Sequence, residues 1–279
     1  MRTGRLAASL ALLGMVAAGC AAAGRQRQPA PSHPGQALAA AAGRTVAART
    51  ARFRATVSGV DGRPTLVVDG VIDFTRSASE ETQTVPGVPG ATTTIRLPGV
   101  TYTRDPRNTP RGTRPWLRVV AGPAAERTGV TLFGVPDPRR ALDVLDDVAQ
   151  ATDRGAQVVR GTPTRHWRAT VTLADMVASQ RHERRAKVAA ELAAAGLAAE
   201  AALPVQVDAW VDDQGRLRRV VDTLPPSAAG RRDGGTIAVE YFDFGAPVRI
   251  TLPPASQVAN DHDELLVPAR PPATDPRRR

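Results

Sequence analysis

The chain has 279 residues, 42% hydrophobic but only 4% aromatic, and its net charge of +10 is carried almost wholly by arginine, Lys187 being the only lysine. That length suits one large domain whose core is built from Val, Leu, Ile and Ala. A single cysteine excludes an intrachain disulfide, and no recognition motif organises the arginines, so the charge points to anionic headgroups or acidic polymers and not to nucleic acid.

Arg2 and Arg5 precede an uncharged run from Leu6 to Gly19, which closes in Ala17-Ala18-Gly19-Cys20. A positive start, an apolar stretch and small residues are the plan of a secretory signal peptide, and the run is short for a membrane span, which needs about 20 apolar residues. The last four residues match the bacterial lipobox, with Ala17 where leucine is most common. The match implies a diacylglycerol thioether on Cys20 and cleavage before it, and so a chain held by lipid on the outer face of the cell membrane. Residues 1–19 read as the signal peptide. Residues 20–36, rich in Ala, Gly, Gln, Pro and Arg without apolar period, read as a lipidated flexible tether.

From Ala37 to Thr50 the positions Leu38, Ala41, Ala42 and Val46 share one helical face, which predicts a helix packed on a sheet. Phe53, Ala55 and Val57 then alternate with Arg52, Arg54, Thr56 and Ser58, and Asp61-Gly62 turns the chain. On the return, Leu66, Val68, Gly70, Ile72 and Phe74 share a face, so a long β-hairpin is expected, bent or bulged at Gly70. Short β-prone runs at 80–85, 91–97, 100–104 and 116–119 continue as an antiparallel meander. Within it, Ala91 to Val100 is a candidate sheet edge for a partner.

Asp137-Pro138 has the form of a helix start, and Leu142, Leu145, Val148 and Ala149 carry the helical period to about Ala151. Val158 and Val159 lead into a hairpin in which Trp167, Ala169, Val171 and Leu173 face one way. Asp175 to Ala202 reads as the longest helix, narrow on its apolar side, ended or kinked near Gly196, and placed as a lid over the sheet. Val205, Val207, Ala209 and Val211 alternate in the next strand, Leu217 to Val221 follow, and Ile237 to Phe244 with Val248 to Leu252 form a last hairpin at Gly245. The folded domain is placed at 37–254 and a disordered tail at 255–279.

Signals of chemistry are sparse. His182-Glu183 resembles the opening of a zinc-protease helix, but the motif needs a second histidine where Ala186 stands. His33, His166 and His262 read as surface residues away from carboxylates. No catalytic residue, metal ligand or cofactor is assigned, and the chain is read as a non-enzyme. What the alternation offers is a concave face with Val57, Val68, Ile72, Trp167, Val171 and Val207, the more apolar set in each strand. Those residues either line a cavity or close on themselves as a core.

The stretch Gly161-Thr162-Pro163-Thr164-Arg165-His166-Trp167-Arg168-Ala169-Thr170-Val171-Thr172-Leu173 is followed by an Ala-rich helix. Next come Leu203-Pro204-Val205 through Trp210-Val211-Asp212-Asp213-Gln214-Gly215 to Arg219, and the ending Tyr241-Phe242-Asp243-Phe244-Gly245-Ala246-Pro247-Val248. This pattern resembles the actinobacterial LolA-like lipoproteins, the LppX and LprG type. The resemblance implies an α+β fold in which a curved antiparallel β-sheet, a half-barrel, is covered by helices on its concave side and encloses an apolar cavity for acyl chains. It also implies a membrane lipid or lipoglycan as partner, together with an envelope transporter. The alternative is an envelope adaptor or structural lipoprotein with a closed core.

Three acyl chains bury far more methylene than the single chain that binds only marginally. Cys20→Ala is therefore expected to leave an unprocessed or released protein on membrane fractionation. Membrane association after further removal of the h-region would place the anchor elsewhere.

Overall fold

The computed structural model describes residues 34–107, 114–120, 138–145, 148, 150–181, 185–194, 198–226 and 234–260, so Cys20 and Gly196 lie outside the described residues. Helix α1 (Pro34–Ala47) leads into β1 (Thr50–Ser58), β2 (Pro64–Asp73), β3 (Ala78–Thr84), β4 (Thr92–Leu97), β5 (Val100–Arg104) and β6 (Trp116–Val120). After the short α2 (Arg140–Asp143) come β7 (Thr152–Val159) and β8 (Thr162–Thr172), then α3 (Leu173–Arg181), α4 (Arg185–Ala194) and α5 (Ala198–Ala201). The chain finishes with β9 (Pro204–Asp212), β10 (Leu217–Leu224), β11 (Gly235–Phe242) and β12 (Val258–Asn260).

All twelve strands belong to one unclosed sheet, in the order β12-β6-β5-β4-β3-β2-β1-β11-β10-β9-β8-β7. Every pairing is antiparallel except the short parallel one between β12 and β6. Two meanders, β1–β6 and β7–β11, are therefore stitched together where β1 meets β11, from Arg52 opposite Phe242 to Ser58 opposite Thr236. Because opposed residues of an antiparallel pair share a face, the register sorts every side chain to a front or a back.

The main core lies on the front. Leu38, Ala41 and Ala42 of α1, Leu142 and Leu145, and Met176 and Val177 of α3 are buried in one cluster with Phe53, Val68, Val207 and Tyr241 of the strands. Thr45, not Val46, completes the buried side of α1. Its hydroxyl donates to the Ala41 carbonyl at 2.8 Å and accepts the Leu217 N–H at 2.8 Å, tying helix to sheet, while Val46 is exposed. At the start of α3, Thr172 and Asp175 cap one another, the Thr172 N–H donating to the Asp175 carboxylate at 2.8 Å and the Asp175 N–H to the Thr172 hydroxyl at 3.1 Å.

A smaller core lies on the back, where Ala78, Ile95, Trp116 and Ile250 pack with Val71, Leu97, Tyr102 and Val258. The hydrophobic side of the sheet thus changes over between β2 and β3. On the front of β3 and β4 stand Glu81, Gln83, Thr92, Thr94 and Arg96 instead, with Arg96 donating to Glu81 at 2.7 Å and Gln83 to Thr94 at 3.1 Å.

Several sequence expectations change. Of the helix expected from Asp137 to Ala151, α2 is helical, 144–145 form a turn and 148, 150 and 151 are not helical, while residues 137, 146, 147 and 149 lie outside the described part. Within the long helix expected at 175–202, residues 173–181, 185–194 and 198–201 are helical, with the first turn beginning at Leu173, while 182–184 and 195–197 lie outside the described residues. Val248 to Leu252 form no strand; Ile250 serves instead as the plug of the back core. The run Ala91 to Val100 is no edge, since β4 sits between β3 and β5; the edges of the described sheet are β12 and β7. Residues 255–260, placed in the tail, form a short 3-10 turn and β12.

Gly70 is not a bulge, for the register runs unbroken from Phe53 through Gly70 to Glu81. It is there because the Phe53 ring lies across it. A Cβ would sit 2.8 Å from that ring and 2.5 Å from the Glu80 carbonyl oxygen. Gly70→Ala is expected to lose about 1–3 kcal/mol of stability in urea denaturation, as overpacking does; an unchanged midpoint would show that the ring is free to move.

Candidate functional site

The register draws two rows across six adjacent strands of the front face. One runs Val68, Ala55, Val239, Val220, Ala209, Trp167. The next runs Leu66, Val57, Ile237, Asp222, Val207, Ala169. Four of the six residues expected from sequence, Val57, Val68, Trp167 and Val207, stand in these rows. Val171 flanks them opposite Val205, and Ile72 lies beyond the other end opposite Ala51. Val68, Ile72, Val171 and Val207 are buried; Val57 and Trp167 are half-buried, and Trp167 packs on the edge of the cluster.

One member of the rows breaks the pattern. Asp222 shares its face with Val220 and Leu224 on its own strand, and it is flanked by Val207 and Ile237 across the sheet. It is 7% exposed, and its Oδ1 has no hydrogen-bond partner. A buried acceptor left without a partner costs roughly 1–3 kcal/mol, so such groups are rare and call for a cause. Burial pushes the carboxyl up to about 7. Among the described residues no charged side chain of β9 or β11 faces it, and the hydrophobic cluster on this face brings Leu38, Leu145 and Met176 from the covering segments. The charged pair Glu81 and Arg96 on this face lies beyond β11, β1 and β2. Sequence alternation missed Asp222 because the strand was ended at Val221; carrying the period of Val220 one step further would have reached it.

The back face carries the rest of the polar chemistry. His166 is buried there and not at the surface as expected: its Nε2 meets Asp208 Oδ1 at 2.5 Å, and its ring stacks on Trp210 with centroids 4.4 Å apart. Asp208 also accepts from Arg168 at 2.8 Å and from Gln206 at 2.8 Å. Burial pushes the Asp208 carboxyl up, but the hydrogen bonds from Arg168 and His166 outweigh it and hold it below the usual carboxylate range. Among the described residues no Ser, Thr or Cys hydrogen-bonds His166, whose Nδ1 is buried without a partner, and the contacts join β8 to β9 as an ion network centred on Asp208. A groove of about 360 Å³ lies nearby on the same face, lined in part by Arg54, Thr56, Arg219, Thr236 and Glu240. His182, Glu183 and Arg184 lie outside the described residues. Among the described residues no three His, Cys, Asp or Glu side chains are grouped to hold a metal ion, and no helix is long and apolar enough to cross a membrane.

No protein-family model matches the chain, and no curated protein does. Among solved structures it is similar to LprF from Mycobacterium bovis, at 19% identity and a TM-score of 0.47, over 78% of this chain and 96% of that one. It is likewise similar to the lipoprotein LppX from Mycobacterium tuberculosis, at 14% identity and a TM-score of 0.47, over 77% of this chain and 99% of that one. A more distant likeness, at 7% identity and a TM-score of 0.27, covers 77% of this chain and 95% of a putative outer membrane lipoprotein-sorting protein domain from Vibrio parahaemolyticus. LppX is also one of the two lipoproteins that typify the group resembled by the stretches Gly161 to Leu173 and Leu203 to Arg219.

The unpaired carboxyl sets a pH dependence whose sign follows from its raised value. Between pH 3.8 and about 7 the unfolded chain gives up this proton while the folded chain keeps it, so stability falls as pH rises. The change amounts to about 4 kcal/mol. Asp222→Asn is expected to gain that much on the wild type between pH 4 and pH 8 in urea titrations; a difference that does not grow with pH would mean the carboxyl is solvated.

Proposed function

We propose that this chain is a membrane-anchored envelope lipoprotein that binds or carries lipid acyl chains between the front face of its sheet and the helices above it. The observation that carries the reading is the pair of cross-strand rows, almost wholly Val, Ala, Leu and Ile. At about 4.8 Å between strands they extend roughly 24 Å, more than the ~15 Å of hydrocarbon in one leaflet. Acyl chains need apolar area and not directed polar groups, and each methylene withdrawn from water contributes about 0.8 kcal/mol. Small side chains suit that use because they can part without leaving a rigid aromatic in the way.

The cover supports the same reading. Helices α4 and α5 leave Ala186, Ala190, Ala193, Ala194, Ala198 and Ala199 exposed, and among their described side chains Leu192 and Ala201 turn inward. A helical layer whose described side chains make so few apolar contacts suits low local stability, as a lid must have. The lipobox at Cys20 supplies the anchor in this reading, and an envelope transporter is the partner that a carrier would serve.

A second reading, a non-transporting envelope adaptor with a closed core, is favoured by two features. Val68 and Val207 are already enclosed by protein side chains, and the groove lined by Arg54, Arg219 and Glu240 faces the other way. Mass spectrometry of lipids extracted from the purified protein, compared between wild type and Val68→Trp or Val171→Trp, separates the two. A carrier is expected to yield bound lipid that the tryptophans displace with little change in melting temperature. A closed core would yield none, and the tryptophans would cost about 1–3 kcal/mol.

A further inference from the structure

Asp222 interrupts a row that is otherwise Leu66, Val57, Ile237, Val207 and Ala169, on the apolar front face of the sheet. Its immediate neighbours offer no donor: Val220 and Leu224 precede and follow it on its face, Val207 and Ile237 flank it, and its Oδ1 is unpartnered. An aspartate in this place does nothing for packing that leucine or valine would not do better. Replacing a buried unpaired polar group by an apolar one of similar shape is generally neutral or stabilising, so folding alone gives the carboxyl no purpose.

We propose that Asp222 is the polar contact of the interior lipid site, its carboxyl group hydrogen-bonding an uncharged oxygen of the ligand, an ester carbonyl or a hydroxyl. The inference rests on the lipid-binding reading and narrows it. Surrounded by aliphatic side chains, the carboxyl is favoured as the neutral acid below about pH 7, and the neutral acid is a hydrogen-bond donor. It would complement a carbonyl or hydroxyl oxygen and disfavour a carboxylate or phosphate placed beside it. The ligand class is therefore an esterified or hydroxylated acyl lipid whose linkage region, and not only its hydrocarbon, enters the protein. Specificity of this kind is usual in apolar pockets, where a few placed polar groups fix orientation.

The test uses the full chain kept soluble in amphipol, with binding measured at pH 5.5 and two probes: dioleoylglycerol, which carries ester and hydroxyl oxygens, and hexadecane, which carries none. Wild type is expected to bind the diacylglycerol about tenfold more tightly than Asp222→Leu, the value of one buried hydrogen bond. Asp222→Asn, which retains a donor and an acceptor, is expected to stay within about threefold of wild type, and hexadecane should bind all three alike. Both variants should melt at or above the wild type at pH 8, so lost binding is not lost folding. Equal diacylglycerol affinity in wild type and Asp222→Leu would overturn the contact while leaving the lipid reading intact. A parallel loss of hexadecane would assign Asp222 to the shape of the site and also overturn it. Absence of binding of either probe to wild type would bring down both.

Discussion

The pairing of β1 with β11 is the interaction on which the rest of the molecule depends. Each strand is the end of its own meander, and only their seven opposed residue pairs, from Arg52 with Phe242 to Ser58 with Thr236, make one sheet of two. That seam also aligns the rows. Ala55 against Val239 and Val57 against Ile237 carry the apolar alternation of the N-terminal hairpin into the C-terminal strands without a slip of face. A register error of one residue would send every side chain of one half to the wrong side. The Phe53 ring opposite Tyr241 and across Gly70 holds the seam in place.

The front face is consequently a surface of two chemistries. From β2 to β8 it is aliphatic and helix-bearing, interrupted by Asp222. From β3 to β4 it is a network in which Glu81, essentially fully buried, is matched by Arg96 and Gln83. Glu81 Oε1 accepts charged hydrogen bonds of a kind that Asp222 lacks among the described residues. Two buried acids on one face thus have opposite situations. One faces a guanidinium, and the other faces aliphatic side chains.

Much of this was legible in the sequence where a single strand carried the information. The β1–β2 hairpin follows from the alternation of Phe53, Ala55 and Val57 and from Asp61-Gly62, and the six residues proposed for the concave face do share one face of the sheet. The sequence was mute where the answer lay in a pairing between distant strands. His166 meets Asp208 because β8 and β9 are neighbours in register, a separation that no ligand spacing describes. The change of hydrophobic side at β3 was hidden because its polar, threonine-bearing strand reads the same from either face. Val248 to Leu252 looked like a strand because its composition is apolar, yet Ile250 is buried as a plug without any ladder of hydrogen bonds. Asp222 was lost at a strand end, where periodic reasoning is weakest.

The sheet order has a consequence for how the chain is made. Its centre is closed by β11 and one edge by β12, the last described strands to leave a ribosome, while β1 waits for them from the start. Contacts so distant along the chain cannot be won locally, and folding dominated by them is slow. An emerging N-terminal meander therefore has its seam strand unpaired and its apolar rows incomplete until residue 242 is free, and gains its final edge only at residue 260. Completion of this sheet is therefore set by the arrival of its C-terminal strands and not by the length of chain already made.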